Sequence, residues 1–569
     1  MCGILGGNDF LLDYKAGIQK IRHRGPDGIK INKYKDVVMA FARLSVIDLS
    51  EEAMQPMDSM DNKIHIVFNG EIYGYHGLKN SIKHRYNFKT KSDTEVILAL
   101  YSLYGDKFID KIDGMFSIAI YDERQHKLKL YRDRAGIKPL YYYNDGSRFI
   151  FFSELKVIQS LLVNEKLHID NSALYDYLSY GYIPEPKSLY KKVHKLKPAM
   201  VLVYDLKLKK IESINRYWKL NINASVGRKR NKEKLCGEFC DLVKQSVKEQ
   251  MVADVPVGCF LSGGIDSSIV TYECMKFNKN IEAFSIGFEE KNYNELEYVK
   301  LLTKQLGINS NTEVLNKDSV KDLYFKIKEW YDEPFSDTSA FPTYLVSKKA
   351  SGNVTVVLTG DGGDELFGGY SRYKKFMDYS KNEKKYRFMK LGKILVSYGI
   401  INEDLWSQKF KSSLEYYSEL MGCKPDFIRL QSKRVFGLPN DYDEYWLIRK
   451  YYKKELPVIT RSRYLDFKTY LPGDILTKVD RTSMAVSLEA RIPFLSRKLI
   501  EFAFSLSQEE CNGNGGLKQI MKDAYDSVLP HEILYRGKKG FSIPPRYIIG
   551  SSLGFDGTRN KILELWKVL

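Results

Sequence analysis

The stretch VPVGCFLSGGIDSS (255–268) constrains the fold more than any other part of the chain. It opens as a short apolar run, the pattern of a strand buried on both faces. It continues as LSGGIDSS (261–268), where two glycines lead into a helical pattern. A strand that delivers glycines to a helix N-terminus makes an anion-binding turn. The glycines let backbone N–H groups point inward, and the helix dipole adds positive potential. Ser262, Ser267 and Ser268 can add hydroxyl donors. No Gly-Lys-Ser/Thr follows at Walker A spacing, and the G-x-G-x-x-G of a dinucleotide fold is absent. The runs IEAFSIGF (281–288) and VTVVLTG (354–360) alternate with helical patterns. This half is therefore expected to be an α/β unit with a parallel sheet and a helical C-terminal part.

A second strand end carries TGDGGDELFGGY (359–370). Asp361, Asp364 and Glu365 stand there among glycines, where open α/β sheets bind ligands. Carboxylates crowded beside a phosphate loop call for a cation, and Mg²⁺ shared with phosphate oxygens fits.

The first 160 or so residues have a different rhythm. KIHIVFNGEIYGY (63–75), GMFSIAIYD (114–122), KLKLYRDR (127–134) and RFIFFSEL (148–155) read as strands, broken by Gly, Asn and Asp. DTEVILALYSLYG (93–105) reads as an amphipathic helix ended by Gly105. The expectation is an α+β sandwich of sheets with helices. NASVGRKRNKEK (223–234) has linker character.

With 569 residues, two or more domains are expected. No run approaches the length of a membrane helix, and the N-terminus lacks signal-peptide regions, so a cytoplasmic protein is expected. The net charge of +18 comes from lysines spread along the chain, as in KNEKKYRFMKLGK (381–393). Without an aromatic-basic RNA motif or zinc finger, this describes a solvated surface rather than a nucleic-acid interface. Cys236 and Cys240 lack a matching metal-ligand pair and are expected to pack in the core.

One further feature is the opening MCGI (1–4). If Met1 is removed, Cys2 carries a thiol and a free α-amine together, a nucleophile with its own base. An α-amine has a pKa of about 8, so roughly a tenth is neutral near pH 7 and no histidine partner is required.

Together these stretches resemble the glutamine-dependent asparagine synthetase family over nearly the whole chain. Other motifs in family order are RHRGPDG (22–28), RLSVIDLS (43–50), FNGEIY (68–73), SDTEVIL (92–98), RDRAGIKPLYY (132–142), DEPFSDTSAFPTYLVS (332–347), DRTSMAVSLEARIPFL (480–495) and RGKKGFSIP (536–544). The resemblance implies an N-terminal-nucleophile (Ntn) glutaminase of αββα type at 1–205, a linker at 206–235, and an ATP pyrophosphatase-like synthetase at 236–569. It implies that Cys2 attacks glutamine, with Asn69 and the Gly70 N–H as oxyanion hole. Arg43 would then pair with the glutamine carboxylate, and Glu71 and Asp93 with its ammonium. In the second half, Leu261, Ser262, Gly263, Gly264, Asp266, Ser267, Ile286, Thr359 and Gly360 would surround ATP. Asp266 and Asp364 would hold Mg²⁺, and Lys538 would stabilise charge as pyrophosphate leaves.

The implied reaction forms an acyl-adenylate from ATP and a carboxylate. Ammonia released at Cys2 then travels through an internal tunnel and displaces AMP. Asp361 stands where several family members have Glu, close to the acceptor. Aspartate therefore shares the field with other carboxylates, such as a uronic acid of a surface polysaccharide or a secondary metabolite. A non-catalytic paralogue is a third reading, opposed by the intact Cys2, Asn69, phosphate loop and Lys538. The partners implied are small-molecule substrates, with a homodimer as a possible assembly.

Overall fold

The computed structural model describes residues 1–222, 230–321, 323–387, 412–422, 433–513, 516–537, 540, 543–544 and 547. The N-terminal unit holds two six-stranded sheets. The first runs in the order Val193–Lys195, Tyr141–Asn144, Phe149–Phe152, Gly3–Gly7, Val38–Arg43, Gly28–Lys33. The second runs Lys210–Arg216, Met200–Asp205, Lys127–Arg132, Asp113–Asp122, Ile64–Tyr73, Met57–Asp58. Neighbours in both are antiparallel.

Side chains from the two inner faces mesh in one layer. Ile4, Met39, Phe41 and Phe151 of the first sheet meet Val67, Ala119, Leu130 and Tyr204 of the second. On the other face of the first sheet, Leu5, Val38 and Ala40 pack under helices Tyr14–Gln19, Lys156–Leu161 and Asn171–Tyr180. Strand Gly3–Gly7 is thus buried on both faces, with Ile4 and Leu5 in different layers. This is the αββα arrangement, with Cys2 at the mouth of a central strand.

Helix Asp93–Tyr104 starts at Ser92, whose Oγ accepts from the Thr94 N–H, and stops at Gly105, which takes a positive φ of 57°. The sequence suggests an amphipathic helix, but residues 93–101 are all buried. The helix belongs to a core that continues from the second sheet into the C-terminal unit, which leaves its first turns no solvent face.

The stretch expected to be a linker contains the strand Lys210–Arg216, which pairs with Met200–Asp205. It is an exposed edge strand with polar residues on both faces, and this composition conceals it. Cys236 and Cys240 are half-buried on helix Lys232–Gln250 and pack against the core.

The C-terminal unit is built on a five-stranded sheet, all parallel. Its order is Asn309–Leu315, Glu282–Phe288, Val257–Phe260, Val356–Leu358, Glu489–Arg491. The chain winds one way from Val257–Phe260 and then returns to build on its other side. The order therefore reverses between Val257–Phe260 and Val356–Leu358, and such a switch point opens a crevice at the carboxyl ends of the two strands. The two glycine-rich loops singled out above are the ones that leave these strands. No described helix is long and apolar enough to cross a membrane.

Candidate active sites

At the switch point Gly263 turns the chain with φ 74°, and a Cβ there would come within 2.8 Å of the Tyr298 Cβ. Helix Ile265–Phe277 begins at once. The hydroxyls of Ser262 and Ser267 lie 3.1 Å apart, and the Ser262 N–H donates to Ser267 Oγ at 3.2 Å. Gly360 lies against this loop so closely that a Cβ would sit 2.6 Å from the Ser267 nitrogen.

The crevice is a cavity of about 600 Å³. Leu261, Ser262, Gly264, Asp266, Ser267, Ile286, Thr359, Gly360, Asp361 and Asp364 all line it, while Gly263 turns the chain behind the wall. Phe260, Ile286 and Val346 provide an apolar part of the wall, and Lys374, Lys518, Lys522 and Arg536 provide cations. Arg536 is steadied by Glu295 at 2.7 Å and stacks over Tyr298. An apolar slot joined to a basic, N–H-rich loop suits a nucleoside triphosphate. Lys538 lies outside the described residues.

Asp266 and Asp364 converge on the same cation, the Lys518 ammonium. Two hard carboxylates closing on one positive charge fit Mg²⁺. Among the described residues no group of three candidate ligands forms, so the remaining donors would be phosphate oxygens and water. Glu365, the third acid of the motif, is buried and accepts from the Tyr370 hydroxyl at 2.5 Å. Burial and the nearby Asp364 charge push its carboxyl up to about 7.

Beyond the glycine-rich loop the cavity holds Asp361, Asp337, Ser339, Tyr470 and Lys478. Lys478 lies 3.5 Å from Asp337. Burial disfavours its charge, yet Asp337, Asp361 and Asp474 together hold its ammonium above the usual lysine range. Sequence reasoning assigns no role to Lys478 or Asp337. A lysine inside a helical run reads as surface, and only the fold shows that it is buried.

In the N-terminal unit Asn69 is completely buried, and its Oδ1 accepts from the Cys2 N–H at 3.0 Å. Among the described residues its Nδ2 has no hydrogen-bond partner, so a donor stands ready beside the cysteine. Gly70 crosses the neighbouring strand so closely that a Cβ would strike the Met115 carbonyl. The Cys2 thiol lies 3.8 Å from the Leu44 carbonyl. Burial pushes its pKa up, against the lowering effect of the Met1 ammonium. The Arg43 guanidinium donates to the carbonyls of Ser50, at 2.6 Å, and Asp48, and so holds the loop beside it.

Asp93 is buried at the start of its helix and accepts from the Ile72 N–H at 3.0 Å. Burial raises its carboxyl to about 6. Glu71 is pushed well above the usual range by burial and by Asp93, with Arg491 opposing. The two carboxylates thus lie close enough to repel, a pairing that a bound ammonium would relieve.

Three arginines without an assigned role in the sequence reading connect the units. Arg491 lies on the edge strand of the parallel sheet, and its guanidinium reaches Glu71 at 3.1 Å and Glu489 at 2.7 Å. Its carbonyl accepts from the Thr359 N–H at 2.9 Å. One residue therefore touches Glu71 of the N-terminal unit and supports Thr359, the first residue of the acidic loop. Nearby, Arg24 bridges Glu154 and Asp480 at 2.8 Å each, and Arg481 bridges Glu154 and Asp332 at 3.0 Å each. All five side chains are nearly inaccessible.

A buried cysteine beside a buried amide donor on an αββα sandwich, joined to a glycine-rich loop at the switch point of a parallel sheet, is the architecture of a glutamine-dependent amidotransferase fused to an ATP-using synthetase. Comparison with known proteins agrees. Residues 238–553 match the asparagine synthase family model, and residues 1–218 the glutamine amidotransferase domain. The glutamine-hydrolysing asparagine synthetase 1 of Bacillus subtilis is 34% identical over 560 residues, covering 96% of this chain and 86% of that protein. Asparagine synthetase 3 of the same organism is 27% identical, covering 97% and 89%. Among solved structures, the glutamine phosphoribosylpyrophosphate amidotransferase of B. subtilis has a TM-score of 0.30 at 14% identity, covering 63% of this chain and 81% of that one. The chain belongs to the glutamine-hydrolysing asparagine synthetase family.

Proposed function

We propose that this enzyme amidates L-aspartate to L-asparagine, using ATP and the side-chain nitrogen of glutamine. The observation that carries the acceptor assignment is the charge at the far end of the cavity. Asp337 lies 3.5 Å from the Lys478 ammonium, Asp361 lines the same cavity, and the negative charge of both, with that of Asp474, favours the charged lysine. This surplus of negative charge suits an acceptor that brings its own ammonium, while Lys478 supplies a cation for a carboxylate. Aspartate has both groups, and a uronic acid has no ammonium.

In this reading the phosphate loop and the Asp361 loop place the triphosphate and the acceptor in one cavity. The acceptor carboxylate attacks the α-phosphorus, forming the acyl-adenylate and releasing pyrophosphate. Mg²⁺ held by Asp266 and Asp364 would neutralise phosphate charge. Lys538 has the charge to assist the departure of pyrophosphate.

At the other site, with Met1 removed, the free α-amine of Cys2 accepts the thiol proton as sulfur attacks the glutamine amide carbon. The amide oxygen becomes an oxyanion held by the unpaired Asn69 Nδ2 and the Gly70 N–H. Collapse to the thioester expels ammonia, which takes the proton from the amine. Arg43 binds the glutamine carboxylate, and Glu71 with Asp93 its ammonium. Ammonia passes to the acyl-adenylate by an internal route near strand Glu489–Arg491, displacing AMP; water then frees glutamate from Cys2.

Pyrophosphate release in the presence of ATP, Mg²⁺ and ammonia tests the acceptor. L-Aspartate is expected to stimulate it, whereas succinate and galacturonate are not. Stimulation by galacturonate but not aspartate would overturn the assignment in favour of a sugar acid.

A further inference from the structure

Lys518 caps helix Gln519–Tyr525 and is 4% exposed. Its backbone lies in the left-handed region at φ 54°, which costs a residue with a Cβ. Its ammonium makes ion pairs with Asp266, from helix Ile265–Phe277, and Asp364, from the short helix Gly363–Phe367 that follows the neighbouring strand. These contacts offset the backbone cost and tie together the two sides of the switch point.

The place is shaped for this side chain. Gly369 runs so close that a Cβ there would collide with both the Lys518 Cε and the Asp364 carboxylate. The residue is also on the cavity wall, together with Ser262, Gly264 and Asp266 of the glycine-rich loop and its helix.

An ammonium and a divalent cation cannot share one pair of carboxylates, because like charges at contact distance repel strongly in a partly buried site. A lysine displaced from Asp266 and Asp364 remains tethered in the crevice. The phosphate oxygens arriving with the metal would be its next partners.

We propose that Lys518 is the resident counter-ion of the divalent-metal site. It holds Asp266 and Asp364 together before nucleotide binds, yields them to the metal, and moves its charge onto the nucleotide phosphates. The proposal rests on the ATP and Mg²⁺ reading above. Its consequence is that the empty enzyme takes up free metal poorly and acquires metal and nucleotide together.

The experiment counts Mn²⁺ binding to the full-length protein by electron paramagnetic resonance, first with the metal alone and then with ATP. Without nucleotide, K518M and K518Q are expected to bind Mn²⁺ about tenfold or more tighter than the wild type. K518R, which keeps the charge, should remain weak, and D364N should abolish the gain in either neutral background. With ATP present, wild-type affinity for Mn²⁺ should rise by a larger factor than that of K518M, and K518M should bind ATP more weakly at saturating Mn²⁺. Equal Mn²⁺ affinity in wild type and both neutral variants would overturn the counter-ion role while leaving the metal site standing. No Mn²⁺ bound by any of these proteins, even with ATP, would overturn the metal reading and the proposal with it. The K518Q and K518R pair decides the matter if K518M fails to fold, as judged by circular dichroism.

Discussion

The Met1 ammonium lies 2.9 Å from the Glu489 carboxylate, so the chain's first residue is anchored on the edge strand of the other unit's sheet. Both groups are inaccessible to solvent. Burial works against the Glu489 charge, yet the Met1 ammonium and Arg491 hold its carboxyl below the usual range. With Met1 in place the Cys2 nitrogen is an amide and cannot act as a base. Glutamine-dependent activity is therefore expected to scale with the fraction of chains whose Met1 has been removed, while ammonia-dependent activity does not. Intact-protein mass and the two rates, measured across preparations of differing processing, check this.

Asn69→Ala removes the unpaired donor beside Cys2. One oxyanion donor is worth roughly 10²- to 10³-fold in rate, so glutamine hydrolysis should fall by about that factor. Ammonia-dependent synthesis should change little, because Asn69 lies in the other unit's core. Parallel assays with glutamine and ammonium chloride give the comparison.

Asp93 must be ionised to hold the glutamine ammonium, and burial places its carboxyl at about 6. KM for glutamine is thus expected to rise as pH falls through about 6. Asp93→Asn should give a high KM that no longer depends on pH in that range. Glutaminase kinetics between about pH 5 and 8, by roughly half-unit steps, follow this titration.

The buried ion network between the units should dominate acid stability. Burial opposes ionisation of Glu154 and Asp480, but Lys156, His23 and Arg481 hold the first below its ordinary pKa, and Arg24 and Lys138 the second. A depressed folded-state pKa contributes stability that is complete above the unfolded values, about 4.3 for Glu and 3.9 for Asp. That contribution is lost as pH falls through the lower folded values. Arg481→Met removes one cation from Glu154 and Asp332, which keep Arg24 and Lys156, and should cost less than the ~3–5 kcal/mol of a fully broken buried pair. Urea unfolding of both proteins at pH 7 and pH 4 measures the loss.

Much of this is legible in the sequence, because strongly patterned stretches carry it. LSGGIDSS and TGDGGDELFGGY predict strand ends with ligand-binding loops, and the fold places them side by side at the switch point. The pattern gives helix Asp93–Tyr104 its extent but not its burial, which depends on tertiary packing. Strand Lys210–Arg216 is hidden because an exposed edge need not alternate. Arg491, Lys478 and Lys518 are hidden for a common reason. Each is a charged residue in a local pattern that reads as solvated, and its role comes from partners far away along the chain. Glu71 lies 420 positions from Arg491, and Asp266 lies 252 positions from Lys518. No local pattern reports such a pairing.

The division of labour between the two sites is tested most directly by Cys2→Ala. The variant is predicted to make no product from glutamine, yet to retain the wild-type rate of ATP- and ammonia-dependent asparagine formation. Equal loss of both activities, or glutamine-dependent product without the thiol, would contradict the account.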